Sequence, residues 1–237
     1  MTHHTQPNQQ TVNLLSVVNV AKQITTEDTT LIILKEISFE LVAGESIAIM
    51  GRSGSGKTTL LGILAGLDQA SSGEVRLRGN NLSLMDEDQR AAVRAREVGF
   101  VFQSFQLLPA LTALENVLMP LELKGATKPL ERAKVLLDEV GLGARMKHFP
   151  RQLSGGEQQR VAIARAFACQ PTILFADEPT GNLDQQTGQQ IIDLLFRLNT
   201  RSGTTLVLVT HDSELASRCQ IHRQLVNGTL QPIDTEL

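Results

Sequence analysis

The apolar positions fall into short runs separated by polar or glycine-containing breaks, and the runs change period along the chain. Val12 to Val20 and Leu31 to Leu41 are rich in branched apolar residues, which predicts two strands. The polar stretch from Thr25 to Thr30 between them reads as a hairpin turn, so an N-terminal β layer is expected. A third apolar run, Glu45 to Met50, leads into the glycine-rich Gly51 to Thr58 and then a helical pattern from about Lys57 to Leu67. Beyond the turn Ser71-Ser72-Gly73, Glu74 to Arg78 reads as strand, Asp86 to Glu97 as helix and Gly99 to Phe102 as strand. From Thr112 to about Gly143 helical patterns with Gly and Pro breaks dominate, and a long helical run covers Val161 to Ala168. We expect a helical insertion over about 104–165.

Thr172 to Ala176 and Thr204 to Thr210 are continuous apolar runs separated by a helix over Gln185 to Thr200. Strands without alternation are buried on both faces, as in a parallel sheet covered by helices. Together these elements predict an α/β protein with a doubly wound core whose ligands gather at the C-terminal ends of the strands.

The 237 residues suffice for one large domain over 12–237, after a polar tail over 1–11 that contains His3 and His4. A net charge of −3 gives no support for a sequence-independent nucleic-acid surface, and no nucleic-acid partner is expected. Cys169 and Cys219 are too few for a disulfide framework, and both read as inert in a reducing compartment. The tail lacks the apolar core of a signal peptide. No run approaches the roughly 18 apolar residues of a membrane span, so any membrane role must come through a partner.

The chemistry starts at Gly51-Arg52-Ser53-Gly54-Ser55-Gly56-Lys57-Thr58, followed by Thr59. Between a strand and a helix this pattern is a phosphate-binding loop: the glycines let successive amides converge on phosphate oxygens at the positive end of the helix. Lys57 adds a point charge and Thr58 a hydroxyl for Mg²⁺. At the end of a buried strand, Asp177 can hold Mg²⁺ or its water, and Glu178 can orient and deprotonate a water attacking a γ-phosphate. The plainer reading of this pair is a solvated turn before Pro179. Ser154-Gly155-Gly156 before a helical run suits a second anion cradle, against the plainer reading of a Ser cap and flexible turn.

In their order along the chain, Gly51 to Thr58, Gln103, Ser154 to Glu157, Asp177-Glu178, Asp184 and His211 resemble the ABC-type ATPase nucleotide-binding domain over nearly the whole chain. The resemblance implies a P-loop NTPase core with an antiparallel β layer and an inserted helical subdomain. It also implies a head-to-tail homodimer holding two ATP molecules with Mg²⁺. One subunit would supply the phosphate loop, Gln103, Asp177, Glu178 and His211, and the other Ser154, Gly155 and Gly156 at the γ-phosphate. Asp184 would lie at the dimer seam, His211 would contact the γ-phosphate and help position the water, and Gln103 would link Mg²⁺ and water to the insertion. Taken alone, His211 could equally cap its strand. The family stacks adenine on an aromatic residue where this chain has Ile24, and the chain contains no Tyr or Trp. Use of GTP therefore becomes more plausible than in other members.

The wording from Gly99 to Pro109, from Leu111 to Val117 and from Glu178 to Asp184 resembles the bacterial lipoprotein-releasing and macrolide-export branch. That branch implies a motor on the cytoplasmic side of the inner membrane, docked to an integral membrane permease. A regulatory or assembly ATPase that controls a membrane complex without moving a substrate is the second reading. A soluble ATPase of DNA repair or translation ranks third, because the chain carries one copy of each motif and no coiled-coil insertion.

Overall fold

The computed structural model describes residues 13–26 and 29–233, and its strands divide between two sheets. β1 (Leu15–Thr25) and β2 (Thr30–Leu41) form an antiparallel hairpin running from the Leu15–Leu41 pair to the Thr25–Thr30 pair. The expected turn is closed by the Thr26 amide, which donates to the Thr29 carbonyl at 2.9 Å. Glu27 and Asp28 lie outside the described residues, as do the tail and Val12. β4 (Ser72–Leu77) pairs along the other edge of β1, and β5 (Asn80–Asn81) completes the order β2-β1-β4-β5. Gly73, the second residue of β4, stands at φ +88°, where a Cβ would run into the Asn19 carbonyl of β1. Only glycine permits that approach.

The second sheet has the order β10-β9-β3-β8-β7-β6. It contains β3 (Ser46–Met50), β6 (Val98–Val101), β7 (Ile173–Asp177) and β8 (Thr205–Thr210), with β9 (Ile221–Val226) and β10 (Thr229–Pro232) at one edge. All neighbours are parallel except β9 and β10. The unbroken apolar runs have a plain cause: alternate side chains enter different cores. Ile47, Ile49, Phe175 and Val207 pack with the antiparallel layer and α1 (Lys57–Leu64), whereas Ala48, Leu174, Ala176 and Leu208 pack with helices on the other face.

α2 (Glu87–Glu97) starts at an Asp86 cap and α3 (Ala113–Leu123) at a Thr112 cap, each in a reciprocal capping box. α4 (Pro129–Glu139), α5 (Gly155–Ala168) and α3 share one core through Val117, Leu121, Leu137 and Ala164. α6 (Gln185–Ser202) separates β7 from β8 and ends at Gly203 in the left-handed region. Two boundaries differ from expectation. α1 stops at Leu64, before Gly66 turns the chain at φ +71°. α5 begins at Gly155, not near Val161, because the Ser154 and Glu157 side chains cap it and the two glycines form its first turn.

The C-terminal α7 (Ser213–Ser217), β9 and β10 were not anticipated. α7 is a five-residue helix begun by Asp212, too short to establish a period. β9 carries His222, Arg223 and Gln224 near the sheet edge, so it lacks the apolar signature of the central strands. Its turn was legible, however: Asn227 and Gly228 sit at φ +51° and +81°, as an Asn-Gly hairpin turn requires.

Candidate functional site

The register of the parallel strands brings their C-terminal ends level: Met50 lies beside Thr210, Asp177 beside Val209, and Val101 beside Ala176. The next residues are therefore neighbours without being close in sequence. Gly51 opens the phosphate loop, Glu178 follows Asp177, His211 follows Thr210, and Gln103 lies two residues past β6. In the loop, Gly54 and Gly56 stand at φ +78° and +97°, and Gly56 is the residue before α1. Its helix start carries no side-chain cap, so the first amides of α1 stay open to an anion. Ser55 Oγ is buried without a hydrogen-bond partner. Lys57, only 6% exposed, donates to the carbonyls of Gly51 and Arg52, at 3.0 Å each.

Asp177 is buried, and its Oδ1 has no hydrogen-bond partner. Burial raises its carboxyl above the ordinary carboxylate value, and the neighbouring Glu178 charge adds to that, against the Thr58 hydroxyl and Lys57. Glu178 stands at φ +43°, a strained backbone for a non-glycine residue. Its amide donates to the Val209 carbonyl at 2.9 Å. The carboxylate spans two partners, Lys57 Nζ at 3.6 Å from Oε1 and His211 Nδ1 at 3.1 Å from Oε2. Lys57, Thr58, Asp177, Glu178 and His211 thus form one connected cluster.

Gln103 joins it through the turn after Glu178: the Asn182 side chain donates to the Gln103 carbonyl at 3.0 Å, and Gly181 leaves room for the Gln103 amide. Asp184 caps α6 by accepting from the Thr187 amide, and hydrogen bonding by the Thr187 side chain, together with that amide, holds its carboxyl below the ordinary value. Ser154, Gly155 and Gly156 are elsewhere. They start α5 over Leu183, Thr187 and Phe105, and among the described residues no hydrogen bond joins them to the phosphate loop. Ile24 lies beside the turn of the β1–β2 hairpin, half exposed.

Two supporting residues escaped the sequence reading. Gln159 is fully buried on α5, and its amide donates to the Pro179 carbonyl at 2.7 Å, directly after Glu178. Arg165, two turns further along α5, donates to the carbonyls of Gln106 (2.6 Å) and Phe105 (3.0 Å), holding two left-handed residues beyond Gln103. The helical period places Gln159 and Arg165 among buried apolar positions, and a polar residue there signals a buried partner.

The family model described as ABC transporter matches residues 34–181. The chain belongs to the ABC transporter family. The ABC transporter ATP-binding protein YbbA of Escherichia coli (strain K12) is 57% identical over 221 residues, covering 92% of this chain and 97% of that protein. The lipoprotein-releasing system ATP-binding protein LolD of Shewanella oneidensis is 46% identical over 220 residues, with coverage of 92% and 96%. Among solved structures, the dimeric ATP-binding cassette MJ0796 bound to ADP and Pi superimposes with a TM-score of 0.85 at 40% identity, covering 92% of this chain and 98% of that one. As a member of this ABC family the chain is an ATPase with the cassette fold. The core sheet, the antiparallel layer and the phosphate loop are the parts that the sequence anticipated.

Proposed function

We propose that this chain is the ATP-driven motor subunit of a membrane transporter: it works as a head-to-tail homodimer on the cytoplasmic side of the inner membrane and drives a separate permease. The observation that carries the catalytic half is the cluster of Lys57, Glu178 and His211 beside the unpartnered Asp177 oxygen. The loop amides and Lys57 bind the triphosphate. Glu178 accepts the proton of the attacking water, and His211, hydrogen-bonded to it, orients the carboxylate. Among the described residues no three metal-binding side chains gather into a cage. That suits Mg²⁺, which is commonly held by one or two carboxylates together with substrate phosphates. Asp177 and Thr58, with Gln103, would hold it, and when bound it neutralises charge on the transferred phosphoryl group.

Ser154, Gly155 and Gly156 start α5 against Leu183, Thr187 and Phe105 and, among the described residues, share no hydrogen bond with their own phosphate loop, which favours a site completed by a second copy. The MJ0796 structures, described as dimeric, support a dimer. For the permease, a groove beside the Gln103 loop is lined by the stacked Phe100 and Phe102, by Pro120 and Leu123, and by Arg165. Leu123 is 81% exposed, and among the described residues no helix is long and apolar enough to cross a membrane. The groove joins the core sheet to the helices of the 104–165 insertion, so a partner seated there would sense closure at the nucleotide.

The test is light scattering on Glu178→Gln with and without Mg-ATP, with concentration read by refractive index because the chain lacks Tyr and Trp. The variant should pass from monomer to dimer with ATP and lose turnover. Hydrolysis at the wild-type rate would remove Glu178 as the base.

A further inference from the structure

The Ser154 hydroxyl, which a site completed by a second copy needs as a donor to phosphate, is already engaged. Ser154 Oγ donates to Glu157 Oε2 at 3.0 Å, the Ser154 amide donates to the same oxygen at 2.8 Å, and the Glu157 amide donates back to Ser154 Oγ at 3.3 Å. A hydroxyl has one proton to give, and a fully ionised phosphate oxygen only accepts. An anion arriving at Ser154 must therefore draw that proton away from Glu157 and then lie close to its carboxylate. The Ser154 amide and hydroxyl, with Arg145, hold the Glu157 carboxyl below the ordinary value against its burial, so the group is an anion at neutral pH.

Arg145 supplies the opposing charge. Its Nε lies 3.2 Å from Glu157 Oε1, the carboxylate oxygen that Ser154 leaves free, and among the described residues no other cation is paired with Glu157. The guanidinium is half exposed and braced, because its Nη1 donates to His148 Nε2 at 3.2 Å. Arg145 ends the turn Gly143–Arg145 between α4 and α5. The chain just after it is fastened to the insertion: the Ala113 and Leu114 amides at the start of α3 donate to the His148 and Met146 carbonyls at 2.8 and 3.0 Å.

We infer that Arg145 is a positioning residue of the two-copy site: it offsets the Glu157 carboxylate so that the Ser154 hydroxyl can turn to the γ-phosphate of a nucleotide held by a second copy. The inference rests on the head-to-tail dimer. It makes the Arg145–Glu157 pair a control on closure and not on nucleotide binding, since among the described residues neither side chain shares a hydrogen bond or ion pair with the phosphate loop of its own chain.

The test is the dissociation constant of the Mg-ATP dimer, read by light scattering over a dilution series in the Glu178→Gln background, for Arg145→Ala, Glu157→Gln and the two together. Gln serves the capping box as Glu does, so Glu157→Gln removes charge without uncapping α5. Arg145→Ala should weaken the dimer about fivefold per site, the upper end for a half-exposed charge, and about 25-fold over the two sites. The urea midpoint, and binding of a fluorescent ATP analogue at concentrations where the chain is monomeric, should not change. Adding Glu157→Gln should recover most of the loss, and about 0.5 M salt should narrow the gap, because screening acts on charge and not on shape. An unchanged dimer constant for Arg145→Ala, or a loss that neither Glu157→Gln nor salt reduces, would overturn the inference and leave the dimer standing. Absence of any Mg-ATP dimer in the Glu178→Gln parent would overturn both readings.

Discussion

A Cβ on Gly156 would collide with Cγ2 of Thr187, so the start of α5 and the start of α6 meet at a distance that only glycine allows. Gly156→Ala should cost about 1–3 kcal/mol of stability, as overpacking does. Thr187→Ser removes the offending methyl and should restore most of that loss; additive losses in urea denaturation would show that the contact is not the cause. Glu178 illustrates the same dependence on surroundings, because its left-handed backbone is held by the bond from its amide to Val209. The two cysteines agree with the inert reading. Burial pushes the Cys219 thiol up to about 12 and raises Cys169 as well, which leaves almost no reactive thiolate near neutral pH.

Between elements, buried polar groups join what apolar contact alone would leave free to slide. Glu97, at the end of α2, accepts from Arg96 Nε (2.7 Å), Arg78 Nη1 (3.1 Å) and Thr172 Oγ1 (3.0 Å), linking the helix, the β4–β5 turn and the approach to β7. Burial alone would raise its carboxyl, but the three donors hold it below the ordinary value of 4.5. A depressed folded value means that the carboxylate contributes stability above pH 4.5 and loses it as pH falls through the folded value. Because the Arg78 and Arg96 side chains remain 53% and 58% exposed, we expect Glu97→Gln to cost only about 1–3 kcal/mol at neutral pH. The gap from wild type should close below pH 4.5 in denaturation curves. A gap independent of pH would mean that shape, not charge, is what Glu97 supplies. Arg165 makes a comparable link between α5 and the loop after Gln103.

For the whole molecule, the decisive arrangement is that Ser154, Gly155 and Gly156 pack against Leu183, Thr187 and Phe105 and, among the described residues, share no hydrogen bond with the phosphate loop of the same chain. Ser154→Arg should therefore leave nucleotide binding by the monomer unchanged while preventing the ATP-dependent dimer of Glu178→Gln. A normal dimer in that double variant would exclude the composite site. The sequence by itself determined the phosphate loop, the two-sided parallel strands, the antiparallel hairpin and the order of the chemical residues, because each depends on spacing within a few positions. It also contained the Asn227-Gly228 turn, which the apolar pattern alone did not reveal. Only the tertiary structure decided that Lys57, Glu178 and His211 meet, since that depends on strand order and register across more than 150 residues. The same is true of the anchoring of Pro179 by Gln159. Local periodicity cannot report such contacts, because they are made between faces that the chain brings together only when its two sheets pack.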